Sequence, residues 1–169
     1  FTELAAQGNE ADVDGTVDAF VVTSVNTGTL LIGTTAGTAT AWAAGTNDTI
    51  DGTNNAYWTP AENDFGPTVN AFTVVAQDDD GAVSTTANVI AQVEVTDVND
   101  VPTLTSFAGV VETTAEDTEV EITFTELAAQ GNEADVDGTV DAFVVTSVNT
   151  GTLLIGTTAG TATAWAAGT

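Results

Sequence analysis

The sequence predicts an all-β protein built as an antiparallel β-sandwich. Three observations favour this fold class. Apolar and polar residues alternate with a period of two over several short segments, those segments are rich in Val and Thr, and turns containing Gly, Asn or Asp separate them. β-branched residues fit a pleated, half-buried surface, and Gly, Asn and Asp adopt the backbone angles that tight turns require.

About seven strands are predicted for one module, the number expected of an immunoglobulin-like sandwich. Only Thr2–Gln7 suggests a helical turn. The aromatic residues Phe20, Trp42, Trp58 and Phe72 are predicted to lie in the core, although an exposed Trp could instead stack on a carbohydrate. The predicted strands are residues 17–25, 28–33, 56–59, 69–76, 87–96 and 119–124, with a leading strand near residues 104–111.

Residues 1–46 and 124–169 are identical, without one substitution, at an offset of 123 residues. A repeat of this length is a whole domain rather than one turn of a solenoid. We therefore expect tandem modules: residues 1–100 form a module lacking its first strands, and residues 101–169 form the first part of the next. Two explanations remain open. Either the chain is a slice of a longer array, or a neighbouring chain supplies the missing strands by strand addition.

The charge is one-sided, with 25 Asp and Glu residues and no Lys, Arg or His, giving a net charge of −25. Such a field pushes a compact state apart unless cations or salt offset it. Nucleic acid and anionic membranes are excluded as partners because nothing basic can meet a phosphate. The chain also lacks Cys, which leaves oxygen ligands, the set that calcium prefers.

The carboxylates cluster in turns, where several oxygens could surround one hard cation. Solvated acidic turns that aid solubility are the alternative interpretation. The D-x-D-G spacing resembles the start of a calcium loop but lacks the helices and distal Glu of an EF-hand. The clusters are Asp97, Asn99 and Asp100; Asp78, Asp79 and Asp80; Asp12 and Asp14 with their copies Asp135 and Asp137; Glu116 and Asp117; and Glu62 and Asp64.

The segment Asp97-Val-Asn99-Asp100-Val-Pro102 resembles the calcium linker between cadherin repeats. Together with residues 114–118, 11–15, 58–64 and 78–81, it is similar to the cadherin-like repeats of giant bacterial adhesins secreted by the type I (RTX) route. The chain departs from classical cadherins in having no Arg. The resemblance implies a cadherin-like fold and calcium ligation by Asp97, Asn99, Asp100, Glu116, Asp117, Asp135, Asp137, Asp12, Asp14, Asp78 and Asp80.

The resemblance implies an extracellular, cell-surface protein whose partners are calcium ions and neighbouring identical repeats. The expected function is that of a non-enzymatic extender, stiffened by calcium at the linkers between modules. The alternative is a subunit of an extracellular filament or matrix assembled by β-strand exchange between chains. A calcium-dependent lectin is a third class. An enzyme is the least favoured, because without His, Cys or Lys only carboxylates remain as general bases.

Overall fold

The computed structural model describes residues 1–85 and 88–167. Contacts divide the chain into two compact units, Phe1–Asp97 and Val98–Thr169, which we call unit 1 and unit 2. The division falls within the acidic linker singled out from the sequence. The module boundary after Asp100 stays a prediction, because compactness alone does not define a repeat. Within the described residues, no helix has the length and apolar character needed to cross a membrane.

The described part of unit 1 contains one short helix and seven strands, joined by turns. The longest strands, β1 and β6, supply five of the eight residues of its buried apolar cluster. The elements are α1 (Thr2–Gln7), β1 (Val17–Val25), β2 (Thr29–Gly33), β3 (Thr40–Ala41), β4 (Thr49–Asp51), β5 (Asn55–Thr59), β6 (Gly66–Asp78) and β7 (Val89–Val95).

The strands of unit 1 form two antiparallel sheets. One sheet has the order β4-β1-β6-β7 and the other has the order β3-β2-β5. Strand β1 is central: Phe20 is paired with Ile50 of β4 on one side and with Ala76 of β6 on the other. Strand β7 ends the first sheet and β5 ends the second, so each has one edge without a partner strand among the described residues.

Side chains from both sheets meet in one apolar cluster. Ile50 and Val22 are the most deeply buried members. Alternation accounts for Phe20 and Val22 in β1 and for Phe72 and Val74 in β6, because every second residue of a strand faces the same side. The cluster consists of Phe20, Val22, Leu30, Ile32, Ile50, Ala71, Phe72 and Val74.

The two tryptophans of unit 1 pack against this cluster and are only partly buried. Each indole N–H donates to a backbone carbonyl: Trp42 to Val22 at 3.2 Å and Trp58 to Thr27 at 2.7 Å. A buried indole needs such a partner, so both rings serve the core of unit 1. The prediction of core positions is confirmed for Phe20 and Phe72, and the tryptophans lie at the core's rim.

Unit 2 has much less regular structure. It contains α2 (Phe124–Gln130) and a two-stranded ladder of β8 (Leu154–Ile155) and β9 (Thr163–Ala164). Isolated bridges pair Thr103 with Ala134 and Phe107 with Gly131, both antiparallel. Phe143 packs against Phe124 and Phe107, with ring centroids 5.4 and 6.3 Å apart.

The all-β prediction is confirmed at the level of fold class, since the described residues form antiparallel sheets with two short helices. The immunoglobulin-like arrangement stays a prediction. Strand β1 and helix α1 have the predicted bounds, and β2, β5 and β6 overlap theirs. Strand β7 is shorter than predicted, and Ala87 of that prediction lies outside the described residues. Strands β3 and β4 are too short for alternation to reveal them.

The strand predicted at residues 119–124 is wrong. Thr123 and Glu126 instead form a capping box: the Thr123 hydroxyl accepts from the Glu126 backbone N–H, and the Glu126 carboxylate accepts from the Thr123 N–H. This reciprocal cap starts helix α2 at Phe124. Residues 104–111 form no continuous strand either, because only Phe107 among them makes a backbone bridge of the ladder type.

Candidate metal centre

In unit 2 the linker is fastened to the D-x-D-G loop, residues 135–138. Thr103 and Ala134 exchange backbone hydrogen bonds of 2.8 and 3.0 Å, which brings the residues before Thr103 beside the loop. The Asp100 backbone N–H then donates to Asp137 Oδ2 at 2.9 Å. Asp135 Oδ1 accepts from the N–H groups of Asp137 and Gly138 at 3.3 and 3.1 Å, which closes the loop.

The Asp137 carboxylate is only half satisfied. Its Oδ2 has the Asp100 N–H, whereas its Oδ1 is buried and has no hydrogen-bond partner among the described residues. A carboxylate oxygen removed from water without a donor is costly. No cationic side chain exists in this chain to supply one. A bound cation is therefore the simplest group that could satisfy this oxygen.

The other candidates near the linker are less closely engaged. Asn99 donates its side-chain N–H to the Asp100 carbonyl at 2.8 Å, which folds the linker on itself. Asp97 is the last residue of unit 1. Glu116 and Asp117 occupy a separate turn in which the Thr118 hydroxyl donates to the Glu116 carbonyl, and Asp117 adopts a φ of 59°. The described residues record no hydrogen bond between that turn and the D-x-D-G loop.

The copy of this loop in unit 1, residues 12–15, contacts the acidic turn that follows β6. Asp79 Oδ1 accepts from the Thr16 N–H at 3.0 Å, and the Asp79 N–H donates to the Thr16 carbonyl at 3.1 Å. Asp12 Oδ1 accepts from the Asp14 N–H at 3.3 Å. A Cβ on Gly15 would lie too close to Asp79 Oδ1, so a larger residue there would require the Asp79 side chain to shift.

The acidic turn itself is organised by Asp78. Its Oδ1 accepts from the N–H groups of Asp80 and Ala82 at 3.0 and 2.7 Å. Gly81 adopts a φ of 86°, a left-handed conformation that favours glycine. Asp78 and Asp12 line a small cavity of about 170 Å³. The structure thus brings Asp12, Asp78 and Asp79 into one region, while the Asp80 side chain makes no hydrogen bond among the described residues.

The two loops supply oxygen donors of the right chemistry for calcium, and the unpartnered Asp137 oxygen fits a cation ligand. They do not form a finished cage. In residues 1–85 and 88–167, no three carboxylates converge as a ready metal site. The residues therefore fit the ion by donor type alone.

Three acidic residues were not among the calcium ligands expected from the sequence. Asp79, rather than Asp80, holds the D-x-D-G loop of unit 1. Glu10 and its copy Glu133 each have a buried Oε2 without a partner among the described residues. In both copies the carboxylate folds back over a glycine, Gly8 or Gly131, where any Cβ would collide with it. The identical Gly-Asn-Glu triplet was visible in the sequence, but nothing local shows that the Glu turns inward.

Two carboxylates outside these loops are kept ionised by hydrogen bonds. Burial would raise the pKa of Asp51, but the backbone N–H groups of Asn54 and Thr53, at 2.6 and 2.7 Å, outweigh it and lower the pKa below its usual value. The backbone N–H and then the hydroxyl of Thr123 lower the pKa of Glu126. Asp51 therefore stabilises a turn and Glu126 stabilises a helix cap, both outside the candidate centre.

No protein-family model, curated protein or solved structure matches the chain.

Proposed function

We propose that this chain is a non-enzymatic structural extender of a bacterial cell-surface adhesin, located outside the cell and stiffened by calcium at its acidic linker. One observation carries the proposal. The linker residue Asp100 is hydrogen-bonded to Asp137, whose second carboxylate oxygen is buried without a partner, in a chain of 25 acidic and no basic residues. The linker and the loop are thus adjacent, and in this proposal a cation binds between them.

In this proposal the protein's residues order the linker. Asp137, Asp135 and Asp100 provide carboxylates, and Asn99 provides an amide oxygen. Without a cation, like charges this close repel one another and the linker moves freely. Calcium supplies a positive charge that several oxygens share, so that the linker is tied to the loop. The loop of unit 1, with Asp12, Asp14, Asp78 and Asp79, would bind a further ion in the same way.

The expected stabilisation is modest for each site. Extracellular calcium modules bind with dissociation constants of ~1 mM at the weak end. At ~10 mM calcium, such a site would stabilise the folded state by about 1.4 kcal/mol. For a unit of this size that corresponds to a rise in melting temperature of roughly 5–10 °C.

The proposal is tested by comparing the chain in 10 mM calcium with the chain in EDTA. Calcium should raise the melting temperature by this amount, and magnesium at the same concentration should raise it less, because magnesium demands octahedral geometry and gives up water reluctantly. Backbone order parameters of Asn99 and Asp100 should rise from below about 0.6 to about 0.85 on calcium addition.

Asp137→Asn should reduce both effects, because it removes charge from the oxygen that has no partner. Asp141→Asn is the matched control: it makes the same charge change at an exposed residue of unit 2 that forms no hydrogen bond among the described residues. Equal melting temperatures and equal linker order in calcium and EDTA would refute the calcium role. An equal loss in both variants would show that only total charge matters.

The second candidate function is that of a filament subunit assembled by strand exchange. A specific feature favours it: unit 1 contains an open groove of about 1280 Å³ between the edge strands β5 and β7. An unfilled groove between two sheet edges is where an added strand would lie.

A further inference from the structure

The groove of unit 1 is lined by apolar side chains that the unit leaves open. Val89, Ile90 and Val93 of β7 lie along it, and Val89 and Ile90 are 55% and 45% exposed. Phe1 and Phe20, whose ring centroids are 5.6 Å apart, form part of its floor. Apolar surface of this extent beside two unpaired sheet edges favours association with another chain segment.

The residues along one side of the groove, 8–11, recur in unit 2 as residues 131–134, and there they have a partner. Phe107 forms a bridge with Gly131, and Thr103 forms one with Ala134. Asn132 Oδ1 accepts from the N–H groups of Thr105 and Ser106 at 3.0 and 2.9 Å. Unit 2 therefore shows how this sequence pairs with residues 103–107.

In unit 1 the corresponding residues 9 and 11 have no such partner among the described residues. Among the described residues, neither Asn9 nor Ala11, the copies of Asn132 and Ala134, makes a hydrogen bond. Both residues line the groove. Phe20, the copy of Phe143, also lines the groove, and in unit 2 Phe143 packs against Phe107 at 6.3 Å. The polar and the aromatic partners of residues 103–107 are thus both present in unit 1.

We propose that this groove is a docking site for residues 101–111 of a second molecule of this chain, added as an antiparallel strand. The register follows from unit 2. Thr103 of the added strand lies opposite Ala11, Phe107 lies opposite Gly8, and the Phe107 ring packs on Phe20. The side chain of Asn9 accepts from the backbone of Thr105 and Ser106. This partner requires no calcium, so the proposal stands apart from the extender function and supports the filament function.

Charge and burial both favour the transfer of residues 101–111 from their own unit 2 to the groove of a second molecule. Residues 101–111 contain no Asp or Glu, so the segment can approach an acidic molecule without adding repulsion. In its own unit the segment is mostly exposed, with Leu104, Phe107 and Val110 at 43%, 41% and 78%. The backbone bonds lost from unit 2 would be regained on identical residues of unit 1. The net gain is the burial of these apolar side chains against a formed core.

The test uses the full chain and a fluorescent synthetic peptide of residues 101–111, in EDTA. We expect saturable anisotropy binding. The Asn9→Ala variant should bind about tenfold more weakly, because it loses the acceptor of two hydrogen bonds. Asn149→Ala should bind like the natural chain, since Asn149 is exposed and lies outside the groove. A peptide carrying Phe107→Ala should bind at least tenfold more weakly than the natural peptide.

Sedimentation of the full chain tests whether a second molecule supplies residues 101–111. We expect oligomers that grow with protein concentration, diminish in Asn9→Ala and dissociate when excess peptide is added. Absence of saturable peptide binding, or equal binding by Asn9→Ala and the natural chain, would overturn the groove assignment. A chain that binds the peptide yet stays monomeric at the highest concentration would overturn donation by a second molecule. Because calcium is absent throughout, neither failure bears on the calcium role of the linker.

Discussion

Residues 1–46 of unit 1 and residues 124–169 of unit 2 have the same sequence but different structures. In unit 1 the shared sequence forms a helix and the strands β1, β2 and β3. In unit 2 it forms a helix and only the short strands β8 and β9 among the described residues. A difference between identical sequences cannot come from intrinsic propensity, so it isolates the contribution of the surrounding chain.

The features common to both copies are local. The helices α1 and α2 occupy corresponding positions in the two copies. A Phe at the start of each helix packs against a second Phe: the ring centroids of Phe1 and Phe20 are 5.6 Å apart, and those of Phe124 and Phe143 are 5.4 Å apart. The hairpin of β2 and β3 is repeated by β8 and β9 in the same register. The residues that pair in these elements are close in sequence, so the entropy cost of loop closure is small. These elements therefore form without contacts from distant strands.

The feature present in one copy only is the central strand. Strand β1 pairs with β4 on one side and with β6 on the other, and β6 lies about fifty residues away. The corresponding residues 140–148 form no strand. A half-apolar strand without neighbours gains too little burial to offset the entropy of ordering it. The sequence of β1 is therefore suited to a strand but does not make one by itself.

The largest expected effect of this difference is in hydrogen exchange. Residues 19–25 and 142–148 yield the same peptide, so mass spectrometry should show two separate isotope envelopes for it. The slow envelope comes from β1, where for example the Val22 N–H donates to the backbone carbonyl of Asp48 at 2.7 Å. The rates should differ by about a thousandfold or more, because β1 opens only with its unit while residues 140–148 lack a ladder.

Peptides unique to one unit provide the controls for this measurement. A peptide from β6 should give a single slow envelope. A peptide from residues 114–121, whose backbone N–H groups make no hydrogen bond among the described residues, should give a single fast one. A single envelope for the shared peptide would mean that the two copies have the same structure, and the comparison would fail.

The next effect is on the free energy of unfolding. Val22 is 1% exposed in the core of unit 1, whereas its copy Val145 is 37% exposed. Val22→Ala should destabilise unit 1 by about 2 kcal/mol through lost burial and a cavity. Val145→Ala, the same change in the same local sequence, should alter stability by less than about 0.5 kcal/mol. Urea denaturation of the two variants in one buffer measures both.

Equal costs for the two substitutions would contradict the claim that only unit 1 builds a core on this sequence. A cost confined to Val145 would reverse the assignment of ordered and open copies. Calcium is left out of these measurements, so that binding does not mask a difference in packing.

The same contrast explains what the sequence could reveal. Alternation over residues 17–25 predicted β1 with its observed bounds, because nine residues carry a clear period. It also predicted a strand at residues 119–124, where the Thr123 and Glu126 capping box gives a helix instead. The signal S/T-x-x-E was present at that position, and it outweighed the alternation.

The candidate site was predictable only in part. Acidic turns identified Asp100 and Asp137 as candidates, but their contact depends on the bridge between Thr103 and Ala134, thirty-one residues apart. Likewise Asp79 was grouped with its neighbours, and only the fold shows that it holds the backbone of Thr16. Residue type shows which groups could bind calcium, whereas pairing between distant segments decides which of them meet.

The smallest expected effect concerns the N-terminal cap of helix α2. Thr123 caps α2 and lowers the pKa of Glu126 below its ordinary value of 4.5. A carboxylate whose pKa is lowered by folding stabilises the folded state above its unfolded pKa. That stabilisation is lost as the pH falls from about 4.5 through the lowered value. Helix α2 should therefore fray below this pH.

Titration of the Glu126 carboxyl carbon by NMR checks this directly. Thr123→Ala should raise the pKa of Glu126 towards 4.5, because it removes the hydroxyl and loosens the backbone N–H that both donate to the carboxylate. Thr146→Ala, at an exposed position of unit 2, should leave the titration unchanged. If Thr123→Ala has no effect, the cap does not form in solution. The start of α2 at Phe124 would then need a cause other than the capping box.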